Sequence, residues 1–197
     1  MVIIHNSTKD KILVLLISNK GKEFTIRAIS KAVCIDYKTV YLIVDDLARQ
    51  EIIITKKAGN TTLCSMNPKA FGSDIYRAEM IRKAQLLKNK DFYALCQHVG
   101  DTIRDPFFIM LLFGSHASGK AKDKSDIDIM VIADEGLSEK MNSSLKQIPL
   151  KIHFTSFTPS QFLNMIKTTD FNVGREAYKN NVILFGIEDY YRMISND

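Results

Sequence analysis

Apolar positions in the first third of the chain follow a helical period twice more after the first helix and then turn to alternation. Ser7-Thr8 can cap a helix in which Ile12, Leu15 and Leu16 recur at helical spacing, and the pattern fades at SNKGKE, where Gly21 interrupts it. FTIRAISKAV opens with a short extended piece at Phe24 and a capping Thr25; Ile26, Ile29 and Val33 then line one helix face. CIDYKTVYLIVDDLARQ predicts a short turn, a cap at Asp36 and a helix over 37–49, with Val40, Ile43, Val44 and Leu47 inward. EIIITKK and TTLCSM read as strands joined at AGN, a hairpin tip. Pro68 and Gly72 in NPKAFGSD mark a hinge. Ile75 to Leu95 reads as helix, broken at KNKD, where Asp91 can cap a second helix. The apolar run from Phe107 to Phe113, closed by Gly114, predicts a buried strand, and DIDIMVIA, residues 126–133, a second. LKIHFTSFT, residues 150–158, is a later strand.

The chain has 197 residues, 46% hydrophobic and 25% charged, which suits a soluble globular protein of one large or two small domains. No apolar run is long enough to span a membrane and no signal-peptide pattern opens the chain, so a cytoplasmic location is expected. Cys34, Cys64 and Cys96 are far apart and match no metal-ligand spacing; they read as small apolar residues in a reducing compartment. The net charge of +5 is unevenly placed. Residues 1–70 hold eleven Lys/Arg against six Asp/Glu, so the whole excess belongs to the N-terminal third, and the rest cancels. A basic small domain suits a polyanion partner, although such charge also serves solubility.

Helix, helix, short turn, helix and hairpin is the order of elements in a winged helix-turn-helix, and residues 1–68 resemble that family. The resemblance implies a recognition helix at 37–49 and a wing at KKAGNT. Tyr37, Lys38, Thr39 and Tyr41 would then meet base edges from the exposed N-terminal end of the helix, and Lys56, Lys57 and Asn60 would meet phosphates from the wing. Domains of this kind also serve as dimerisation or protein-docking modules, so DNA and a second copy of the chain are both partners to test.

The chemistry concentrates in FGSHASGKAKDKSDIDIMV. Side chains alternate across a strand, so Asp126 and Asp128 share a face that Ile127 and Ile129 do not. Two carboxylates projecting together need a cation or a hydrogen-bond network to stay ionised. Magnesium suits them, because it takes one or two carboxylates and completes its shell with water and phosphate oxygens. Gly114 lets a triphosphate approach its backbone, and Ser115 offers a hydroxyl and an amide. SHASGK can start a short helix, and Lys120, Lys122 and Lys124 add positive charge.

Gly114-Ser115, then ten intervening residues and Asp126-x-Asp128, resembles the signature of the minimal nucleotidyltransferases of the DNA polymerase beta superfamily. Ala117, Gly119 and Ser125 agree with it, and NNVILFGIEDYYRMI is similar to the closing strand and helix of such domains. The resemblance implies an α/β fold of the α+β kind: an N-terminal winged helix-turn-helix (1–68), connecting helices (69–104) and a nucleotidyltransferase domain (105–197) with a mixed sheet flanked by helices. It implies Mg2+ on Asp126 and Asp128, ATP or another nucleoside triphosphate on Gly114 and Ser115 with Lys120 nearby, and transfer to a hydroxyl acceptor such as a protein. The family's third carboxylate has no counterpart on 150–158. Lys151, His153 and Thr155 share one face there, and His153 stands where the acid is expected, either as a base or as an ordinary hydrogen-bonded histidine. Two functions therefore stay open: a metal-dependent nucleotidyltransferase with a DNA-binding domain, or a DNA-binding regulator whose nucleotidyltransferase-like domain binds nucleotide without catalysis.

Overall fold

In a computed structural model, the described residues are 6–122 and 125–195; Lys124 lies outside them. The chain forms two compact units, one running through Ile81 and the other from Arg82 to Met193.

The first unit opens with α1 (Thr8–Ile17), capped by Ser7 in a reciprocal box with Asp10. Asp10 is nearly fully buried and also accepts from Arg77 Nε at 3.0 Å, so its charge is paired as burial requires. Ile12, Leu13, Leu16 and Ile17 form the buried stripe, while Leu15, expected inward, is only half-buried. β1 (Phe24–Thr25) leads into α2 (Ile26–Val33), capped by Thr25, and Cys34 ends that helix in the left-handed region at φ 55°. α3 (Tyr37–Arg49) follows the cap at Asp36 and buries Val40, Val44 and Leu47. β2 (Ile53–Ala58) and β3 (Thr61–Met66) form the hairpin, turning at Gly59-Asn60, where Gly59 takes φ 58°. The sheet order β1-β3-β2 completes the helix-turn-helix-plus-hairpin arrangement read from the sequence.

α4 (Ser73–Leu86) carries the chain past the boundary at Ile81/Arg82, so the expected connecting segment is shared between the units. α5 (Lys90–Thr102) is capped by Asn89, whose side chain accepts from the Asp91 amide. The cap expected at Asp91 thus moves two residues upstream, and Asp91 sits in the first turn, where a carboxylate favours the helix dipole.

The second unit is built on β4 (Ile109–Phe113), the four-residue helix α6 (Gly114–Ala117), β5 (Ile127–Ile132), α7 (Glu135–Leu145), β6 (Ile152–Phe157), α8 (Pro159–Lys167), α9 (Val173–Lys179), β7 (Asn181–Phe185) and α10 (Ile187–Ser195). The sheet order is β6-β5-β4-β7; β4 is antiparallel to β5 and β7, and β5 is parallel to β6, which makes the sheet mixed as expected. All five residues of β4 are buried, but Phe107 is 79% exposed, so the strand starts two residues later than the apolar run suggested. Met110, Leu112, Ile127, Ile129, Val131 and Leu184 meet α5 and α7 on one face. Each large apolar side chain so buried contributes about 1.5–3 kcal/mol. The opposite face receives Phe162 of α8 and Tyr190 and Tyr191 of α10, whose rings pack edge to face at 5.5 Å.

The two sheet edges differ. Along β7, Arg82 donates to the Asn181 carbonyl at 2.6 Å and Lys83 donates to the Leu184 carbonyl. Burial holds the Lys83 amine below its ordinary pKa. At the other edge, β6 is less deeply buried than β5, with His153 exposed and its other residues half-buried. Among the described residues, no helix is long and apolar enough to cross a membrane.

Candidate functional site

The Gly-Ser motif and the Asp-x-Asp motif meet because β4 and β5 are antiparallel neighbours. Phe113 pairs with Asp128, which brings Gly114 beside the Asp128 side chain. Gly114 has φ 67°, and a Cβ there would lie 2.3 Å from Asp128 Oδ2. Two requirements therefore select glycine: the left-handed backbone and the space occupied by a carboxylate. Gly114, expected to admit a phosphate, also makes room for Asp128.

Asp126 immediately precedes β5, and Asp128 lies within it. Each carboxylate faces a side chain of the segment that forms or directly precedes β6. Asp128 is in register with His153, and His153 Nδ1 lies 3.2 Å from Asp128 Oδ1. An ionised carboxylate only accepts, so Nδ1 carries the proton and a neutral ring keeps its lone pair on Nε2. Ile127 pairs with Ile152, which sets Asp126 beside Lys151, and Lys151 Nζ lies 2.6 Å from Asp126 Oδ1. That oxygen is shielded from solvent and, among the described residues, accepts no hydrogen bond, so the contact is an ion pair by distance and not by direction.

Among the described residues, no three His, Cys, Asp or Glu come together as a metal-holding group. A hard divalent cation nevertheless fits the donors present. Two carboxylates on one face, one with an unsatisfied buried oxygen, match an ion that takes few protein ligands and completes its shell with water and phosphate.

The loop between β4 and β5 is fixed at both ends. His116 Nε2 lies 3.2 Å from the Ser125 carbonyl, and its ring meets Phe92 edge-on at 5.4 Å. Ser125 Oγ accepts from the Lys122 amide, and the Lys120 amide donates to the Ser115 carbonyl. His116 thus braces the loop, and its ring nitrogen is engaged there. Ser115 is half-buried at the start of α6, and the Lys120 side chain is exposed. Lys151, which the strand alternation placed on the His153 face without a role, is brought against Asp126 by the register. A groove of about 320 Å³ between α7 and β6, lined by residues including Glu135, Glu139, Phe154 and Gln161, contains neither aspartate.

In the first unit, Tyr37, Lys38 and Tyr41 are exposed at the start of α3, and the two tyrosine rings stack at 6.4 Å. Thr39 differs from the expectation: it is half-buried, and its amide donates to Asp36 Oδ1 at 2.9 Å. Hydrogen bonds from the Thr39 amide first, and its hydroxyl second, hold the Asp36 carboxyl below its ordinary pKa. Thr39 is occupied in starting the helix. Lys56 and Lys57 are exposed on β2 and, as neighbours in a strand, point to opposite sides of the ribbon.

No curated protein matches this chain. Among solved structures, TrmBL2, an archaeal chromatin protein whose structure shows a novel mode of DNA binding, is similar over 83% of this chain and 67% of that one. The identity is 11% and the TM-score 0.28, below what a shared fold gives. Residues 104–189 match the family described as Polymerase beta, Nucleotidyltransferase, which supports a nucleotidyltransferase-type domain in the C-terminal unit.

Proposed function

We propose that the protein is a metal-dependent nucleotidyltransferase joined to a DNA-binding winged-helix domain. The observation that carries this reading is the fit of Gly114 against Asp128, which assembles the two halves of the motif at adjacent strand ends. Asp126 and Asp128 would hold a divalent cation, which when bound supplies charge neutralisation for displacement at phosphorus. Gly114 and Ser115 orient the triphosphate of ATP or another nucleoside triphosphate. An acceptor hydroxyl attacks the α-phosphorus, the bond to the leaving pyrophosphate breaks, and His153 Nε2 takes the hydroxyl proton. Asp128, bonded to Nδ1, aims that ring. The exposed Tyr37, Lys38 and Tyr41 and the wing lysines Lys56 and Lys57 supply the DNA-facing surface.

One observation favours a second reading, a DNA-binding regulator that binds nucleotide without transfer. Lys151 places an ammonium on Asp126, and β6 offers His153 in place of an acid. Incubation with α-labelled ATP and Mg2+ separates the two. Protein, small-molecule and RNA acceptors are tried in turn, against a chain carrying Asp126→Ala and Asp128→Ala. Label transfer that the double variant loses supports the enzyme. Nucleotide bound by the wild type without any transfer removes the enzyme and leaves the regulator.

A further inference from the structure

The strand register brings a positive charge to the site from Lys151, the residue directly before β6. Lys151 is fixed beside Asp126 by the Ile127–Ile152 pairing, and the Ile127 amide donates to the Lys151 carbonyl at 2.8 Å. The ammonium lies 2.6 Å from a carboxylate oxygen that has no hydrogen-bond partner among the described residues. The lysine stem is 79% exposed, so nothing in the packing holds it to that one partner. Lysine is a flexible point charge with three donors, and phosphate oxygens suit it as well as a carboxylate does.

We propose, resting on the reading of Asp126 and Asp128 as a cation and nucleotide site, that Lys151 is a built-in counter-ion that governs the order of loading. With both aspartates ionised and Lys151 protonated, the trio carries a net charge of about −1, where the carboxylates alone would carry about −2. Two consequences follow from Coulomb's law. A free divalent cation must compete with the ammonium for Asp126, so it binds weakly alone. A triphosphate, which two bare carboxylates would repel, is admitted because one of them is neutralised. On nucleotide binding, Lys151 exchanges Asp126 for a phosphate oxygen, and Asp126 becomes available to the cation. The cation therefore enters with the nucleotide, not ahead of it. His153, on the same face, adds no negative charge.

The test measures binding, not turnover. Mn2+ alone, ATP in the presence of EDTA, and Mn2+ with ATP are titrated into the full chain by calorimetry at low salt, with bound Mn2+ confirmed by electron paramagnetic resonance. Lys151→Met and Lys151→Gln are both used, since an exposed side chain is replaced and folding is not at risk. The expected result is that free Mn2+ binds each variant at least about threefold more tightly than wild type, the scale of a partly exposed ion pair. ATP without metal binds each variant more weakly than wild type. Unchanged or weakened Mn2+ affinity in both variants overturns the proposal. Asp126→Asn distinguishes this failure from failure of the site itself. If Asp126→Asn abolishes Mn2+·ATP binding while the Lys151 variants match wild type, only the counter-ion role falls. If Asp126→Asn binds Mn2+·ATP as wild type does, the site reading falls and the proposal with it.

Discussion

The strand-end site of the second unit and the helix-end surface of the first are built by different physics. At the strand ends, Gly114 and Asp128 touch so closely that one methyl group has no room; Gly114 directly follows β4, Asp128 lies on β5, and both strands are buried along most of their length. At the start of α3 and along β2, Tyr37, Lys38, Tyr41, Lys56 and Lys57 are long and exposed, and none of them is buried in a packed core. A site of the first kind fails as a unit when one atom is misplaced. A surface of the second kind loses affinity in increments, and salt erodes it.

The sharpest way to break this contrast is Asp128→Asn, which keeps shape and removes charge. Nucleotidyl transfer should fall on the order of a thousandfold, several kcal/mol of transition-state stabilisation, in a single-turnover assay. Gly114→Ala should follow closely. Its left-handed backbone alone costs about 1–2 kcal/mol in a urea melt. Displacement of Asp128 should lower transfer at least a hundredfold more than that instability explains. His153→Gln comes next, with a loss on the order of a hundredfold in rate and little change in the affinity for Mg2+·ATP, as removal of a base requires. An equal loss in binding would instead assign His153 a structural task.

The first unit should respond in smaller steps. Lys56→Gln and Lys57→Gln should each lower the slope of log affinity against log salt by about one in a DNA titration, additively and across unrelated sequences. Cooperative loss between the two would contradict the picture of independent exposed charges. The smallest effect belongs to Asp36. Its folded pKa is depressed, so its contribution to stability is present above the unfolded value and fades as pH falls through the folded one. Asp36→Asn should therefore melt lower than wild type at neutral pH and converge on it in acid.

Much of the fold was legible because it rests on short-range rules. Ser7, Thr25 and Asp36 cap the helices that follow them, and the recognition-type helix spans the predicted 37–49. Strand alternation put the two aspartates on one face. What the sequence could not supply was register. Nothing local says that Asp126 stands beside Lys151, or that Asp128 meets both Gly114 and His153, because β5 and β6 are joined through α7 and their alignment is decided by packing. The same limit explains Phe107 and Asp91. Both look correct by composition, yet an exposed ring and a nearer cap at Asn89 decided those boundaries.

The central claim is nucleotidyl transfer, and the position of the label tests it most directly. Full-length protein is incubated with Mg2+, an acceptor preparation and ATP labelled at either the α- or the γ-phosphate. Transfer predicts that the α-label becomes covalently attached to the acceptor while the γ-label leaves in pyrophosphate, both abolished by Asp128→Asn. Attachment of the γ-label, or retention of intact ATP on the protein with neither label transferred, would contradict it.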